Sequence, residues 1–209
     1  MKKAVLASLI FLIIISSRLI AQTNFAFSFK GGINYTPMRG VEHDLISWEK
    51  SQIDRFNFSA IAGVKYSFND KHSAVVDFEY QPVRLSYGSS GGEIHYRLKF
   101  YALTVGYDYK FSTNSKFDFY LGAGGGYILL NSAVSSFSDI PFSNPDWFKD
   151  EGLLLNTRFG TEYFLNELLS FSAEIRYRYV ETLKRNKYNN FNEVNISGVS
   201  LLVGFNINI

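Results

Sequence analysis

From Phe25 onward the chain alternates, residue by residue, between two kinds of side chain. Odd positions Phe25, Phe27, Phe29, Ile33 and Tyr35 are aromatic or aliphatic, while even positions Ala26, Ser28, Lys30, Asn34 and Thr36 are small or polar. A period of two is the geometry of a β-strand, whose successive side chains point to opposite faces. The pattern returns with Phe56, Phe58, Ala60, Ala62, Val64 and Tyr66 against Asn57, Ser59, Gly63 and Lys65. A third segment sets Ala74, Val76, Phe78 and Tyr80 against Asp77, Glu79 and Gln81, and a fourth, from Ile94 to about Phe111, carries Tyr101, Leu103, Val105, Tyr107 and Tyr109 on its apolar face. Four more begin at Phe117, Leu153, Leu169 and Gly198, which makes eight strands. The phase slips near Pro82 and again near Phe100. A bulge, or a strand leaving the apolar layer, is the expected cause.

The connections alternate in length as well. Those at 69–72, 112–116 and 165–168 are short, those at 37–54, 131–151 and 181–194 are long, and only the one at 88–92 breaks the rule. Short periplasmic turns and longer outside loops are the habit of outer-membrane barrels. An even strand number then puts both termini on the periplasmic side.

Lys2 and Lys3 precede an apolar run from Ala4 to Ile15, and Ala21 supplies a small residue before Gln22. This reads as a secretory signal peptide over 1–21, with the barrel domain at 22–209. The run is too short for the roughly 20 apolar residues of a spanning helix. The leader holds three of the 21 basic residues and no acid, leaving 18 basic against 19 acidic residues. Near-neutrality gives no electrostatic case for nucleic acid. The absence of cysteine excludes a lipoprotein anchor, disulfides and thiolate metal sites. Alternation also fits a soluble sandwich or a lipocalin-like barrel. Long strands, 20 Phe and 14 Tyr on a chain of near-zero mean hydropathy favour the inverted arrangement, apolar face outward. The expected fold is an all-β, eight-stranded, up-and-down transmembrane barrel in the outer membrane of a Gram-negative bacterium.

On that arrangement the polar face gathers Lys30, Lys65, Arg158, Arg176 and Arg178 with Asp77, Glu79, Glu162 and Glu174. Eight strands enclose little more than side chains, so these charges must pair. A salt-bridged plug is the expected result, and a small porin or ion path is the alternative. Gly122-Ala123-Gly124-Gly125-Gly126 lacks the helix and Lys-Ser/Thr of a phosphate loop, and is expected to clear lumen space or let the sheet curve. No metal-ligand spacing is present and no cofactor is expected. His95 with Ser86, Ser89 or Ser90 could be drawn as the site of a lipid A-modifying enzyme, but no motif fixes it, so an enzyme is not expected. Outside loops are the expected seat of specificity. Trp48, Phe142, Trp147 and Phe148, beside basic Lys184 and Arg185, form the candidate surface for a protein partner.

The junction Ala21-Gln22, the opening Phe27-Ser28-Phe29-Lys30-Gly31-Gly32-Ile33-Asn34-Tyr35, the segment Leu121 to Tyr127 and the ending Val199 to Phe205 resemble the PorT-like outer-membrane β-barrel family common in Bacteroidetes. The resemblance covers essentially the whole mature chain. It implies contact with outer-membrane lipid and lipopolysaccharide, and insertion by the barrel-assembly machinery through the last strand, which here ends in Ile209 rather than an aromatic residue. A few such relatives assist protein secretion, and none of the shared patterns is catalytic.

Overall fold

The computed structural model describes residues 24–37, 50–53, 55–89, 92–111, 116–135, 149–180 and 196–209. The leader read in 1–21 lies outside these. Strands run in chain order as β1 (Phe25–Tyr35), β2 (Lys50–Ile53), β3 (Phe56–Ser67), β4 (His72–Ser89), β5 (Gly92–Lys110), β6 (Phe117–Ser135), β7 (Lys149–Phe164), β8 (Leu169–Val180) and β9 (Gly198–Asn208). Each pairs antiparallel with its chain neighbours, except that β2 pairs only with β4, against Leu85–Gly88. β2 is therefore a short extra strand within the expected first loop rather than a stave of its own. β1 pairs with β9 across the seam, so eight staves close into a barrel.

Local sequence sets the tight turns. Asn69 accepts from the backbone N–H of Lys71 and His72, and Asn166 from those of Leu168 and Leu169. An Asn side chain that mimics a backbone turn lets antiparallel strands reverse in a few residues. These turns and Ile209 lie at one end of the barrel, the turn end; the opposite end is the loop end. There β4, β5 and β6 run on to Ser89, Gly92 and Ser135, while β1 stops at Tyr35 and β8 at Val180. The wall is taller on one side.

Burial settles which face points where. Val105, Leu201 and Val203 are 60, 59 and 63 % exposed, whereas Arg176 and Glu174 are 1 and 2 % exposed. In water this would be inside out, since large apolar side chains cover the exterior and charges fill the core. In a bilayer it is the arrangement that satisfies both solvents. Aromatic rings cluster near the two ends of the wall, with Tyr80 against Tyr101 toward the loop end and Tyr107, Tyr109 and His72 toward the turn end.

No bulge interrupts the pairing of β4 with β5 at Pro82 or Phe100. The β4–β5 ladder runs unbroken from His72↔Tyr109 to Ser89↔Gly92, passing through Pro82↔Lys99 and Gln81↔Phe100. Val83, Leu98 and Phe100 keep the parity of the inner face and are buried within it. The alternation of faces continues; the chemistry of the inner face changes.

Candidate functional site: a charged lumen

All nine charged residues expected on the inner face point into the lumen, where they bond in three tiers. At the turn end Lys65 Nζ donates to both oxygens of Glu162, at 2.6 and 2.7 Å, and Lys110 lies 3.2 Å from Asp118 and 3.8 Å from Glu162. Asn206 also donates to Glu162 and, at 3.1 Å, to Ser170.

The middle tier resolves a local conflict. Arg158 and Arg176 are direct cross-strand partners on β7 and β8, a like-charge pair that is unfavourable by itself. Asp77, reaching from β4, accepts from both through Oδ2, at 3.0 Å from Arg158 and 2.7 Å from Arg176. Arg158 Nε donates to Asp108 at 2.6 Å and Arg176 Nε to Glu174 at 2.6 Å. Glu174 also accepts from Lys30 and, at 2.7 Å, from the Tyr120 hydroxyl. Toward the loop end Arg178 bonds Glu79 at 2.9 Å and Gln81 at 2.6 Å. Gln81 and Asn34 extend the chain of bonds to Thr36.

Three charged members and one hydroxyl were missed from the sequence: Asp108, Lys110, Asp118 and Tyr120. Parity alone identifies them. Asp108 and Lys110 alternate with Tyr107 and Tyr109, and Asp118 and Tyr120 with Phe117 and Phe119. With them the ion pairs of the inner face among the described residues join six cations and six anions.

The glycine-rich segment lies within β6, and its spacing matters here. A Cβ at Gly122 would run into Asp108 and the Arg158 guanidinium, and one at Gly160 would strike the Tyr120 ring. The large polar groups fit because their neighbours have no side chain.

Beside the charged tiers, toward the loop end, the same inner face turns apolar. Val83, Leu98, Phe100, Ile128, Leu130, Leu154, Val180 and Ile196 are all buried. Sequence reading, which equated the inner face with polarity, did not find this cluster.

Trp48, Phe142, Trp147, Phe148, Lys184 and Arg185 lie outside the described residues. Ser86 and His95 are cross-strand partners near the tip of the β4–β5 hairpin. Among the described residues no group of three or more His, Cys, Asp or Glu is placed to hold a metal ion.

No family model matches the sequence, and no curated protein does so either. Solved structures do. Neisserial surface protein A superposes with a TM-score of 0.56 at 15% identity, over 88% of this chain and 96% of that one. The outer-membrane protein OprG of Pseudomonas aeruginosa gives 0.55 at 17% identity, over 90% and 97%. The fold is that of an eight-stranded outer-membrane barrel. At these identities the likeness carries the architecture and nothing of what either protein does.

Proposed function

We propose that this barrel is a closed, non-enzymatic component of a Gram-negative outer membrane, acting through its outside loops in a structural, partner-binding or secretion-accessory role. The observation that carries this reading is the double filling of the lumen. Charges that are mutually paired leave no fixed surplus to attract an ion, and the apolar cluster beside them offers a permeating ion no ligand to replace its water. In this reading residues 1–21 direct export and are removed, the turn end faces the periplasm, and the long loops face outward. Short Asn-based turns at one end and widely separated strand ends at the other support that orientation. The candidate contact residues remain Trp48, Phe142, Trp147, Phe148, Lys184 and Arg185, set against a protein partner. The resemblance to PorT-like barrels supports the secretion-accessory variant, with lipopolysaccharide around the wall and the barrel-assembly machinery as the insertion partner.

Planar-bilayer recording of the purified full-length protein tests the closed lumen. The expected record is a quiet baseline across the usual voltage range. A stable large conductance from the folded protein would overturn the reading in favour of a small porin.

A further inference from the structure

Between β3 and β4 the wall of the barrel is not uniformly laddered. Their register runs from Ser67↔Ser73 to Ala60↔Tyr80 and stops, although β3 continues to Phe56 along β1 and β4 continues along β5. Pro82 lies in this stretch and has no N–H to give. Because the β4–β5 ladder passes through Pro82 intact, the missing donor is on the β3 side. The outer wall opens there into a groove of about 540 Å3, lined among others by Phe56, Phe58, Tyr80, Pro82, Arg84 and Lys99.

The groove is amphipathic, with aromatic rings and cations lining it together. Phe56 and Phe58 are 71 and 58 % exposed on the lipid side. Tyr80 and Tyr101, ring centroids 5.3 Å apart, form part of the aromatic girdle toward the loop end. The next outward pair is Pro82↔Lys99, and Arg84 follows two residues on along the wall. From Tyr109 to Lys99 the strand rises about 3.4 Å per residue at a tilt of about 40°, which is about 26 Å, the height of the apolar band of such barrels. Arg84 and Lys99 therefore stand at headgroup level. Among the described residues neither takes part in an ion pair and no acidic side chain lines the groove.

We propose that this groove is a binding site for a phosphorylated membrane lipid, with its phosphate against Arg84 and Lys99 and an acyl chain against Phe56, Phe58 and Tyr80. A lipid is the occupant that position imposes, because the outer wall meets bilayer and little else. The two unpartnered cations select an anionic headgroup, and the aromatic rings that share the groove with them, Tyr80 below and Phe58 and Phe56 beside, favour one that carries a tail. The site depends on the barrel spanning a bilayer and not on the role proposed for the loops.

The full-length protein, folded into phosphatidylcholine nanodiscs containing a minor fraction of bisphosphorylated lipid A, is released and read by native mass spectrometry for retained lipid. Wild type retains the phosphorylated lipid. Each cation near a membrane surface contributes about fivefold in binding, so Arg84→Gln and Lys99→Gln each lower retention by about that factor and the double variant by about thirtyfold. The charge-preserving exchange of Arg84→Lys with Lys99→Arg restores retention, and Lys71→Gln at the turn end changes nothing. Heat-shifted electrophoretic mobility verifies that every variant is folded, and the single variants decide the matter if the double one is not. Equal retention by folded variants lacking either cation, or equal retention of dephosphorylated lipid A, overturns the proposal. Displacement of the lipid by excess inorganic phosphate also overturns it, by showing a site for the free anion.

Discussion

Asp77 has the most demanding position in the molecule. One of its oxygens answers two guanidinium groups from neighbouring strands, in a bore where water cannot substitute for it. Removing one partner of a buried ionic cluster leaves the others uncompensated, and costs about 3–5 kcal/mol. Asp77→Ala is therefore expected to destabilise the barrel by that amount, measured by urea unfolding from lipid vesicles. Asp77→Asn, which keeps shape and one acceptor, should fall between the alanine variant and wild type. An unchanged midpoint for Asp77→Ala would show that Arg158 and Arg176 are satisfied elsewhere. Much of this site is legible in the sequence: Lys30, Asp77, Arg158 and Arg176 stand out because charge recurs on one parity. The bonds themselves were not legible. Which acid answers which base depends on how strands far apart in sequence are staggered around the bore, and alternation says nothing about stagger.

At the scale of the strand, alternation identifies the eight staves because lipid enforces it: every second residue is in hydrocarbon. The alternative of a bulge at Pro82 and Phe100 failed for an equally physical reason. Val83, Leu98 and Phe100 are apolar on the inner face, so hydrophobicity ceased to mark the outside while the pleat went on unchanged. Parity, not polarity, is the reliable guide. It yields a graded test along β5. Val105 lies midway between the tyrosines of the two girdles, so Val105→Arg should cost about 2–4 kcal/mol in a bilayer, whereas Tyr109→Arg at the rim should cost about 0–1 kcal/mol. Reversible unfolding in vesicles distinguishes the two. Similar penalties at both positions would mean that the apolar band is set elsewhere on the wall.

For the whole molecule, the inner charges matter most for what they join. Lys30 of β1 meets Glu174 of β8, 144 residues away, and Lys65 of β3 meets Glu162 of β7, 97 residues away. Asp77 and Glu79 of β4 wait for Arg176 and Arg178, each 99 residues later. No early subset of strands can neutralise its own interior in the native way. A chain ending after Phe164, which lacks the strands bearing Glu174, Arg176, Arg178 and the closing β1 partner, is expected to remain protease-sensitive and fail to integrate into vesicles. Protected, membrane-inserted fragments from that truncation would contradict this. The same wiring has a kinetic meaning. The pairs that span the chain, Lys30–Glu174, Lys65–Glu162, Asp77–Arg176 and Glu79–Arg178, are handshakes between its earlier and later parts, so the barrel has no profitable halfway stage. The polar interior works as a completeness check, and hydrocarbon admits the protein once the final strands have arrived to answer the first.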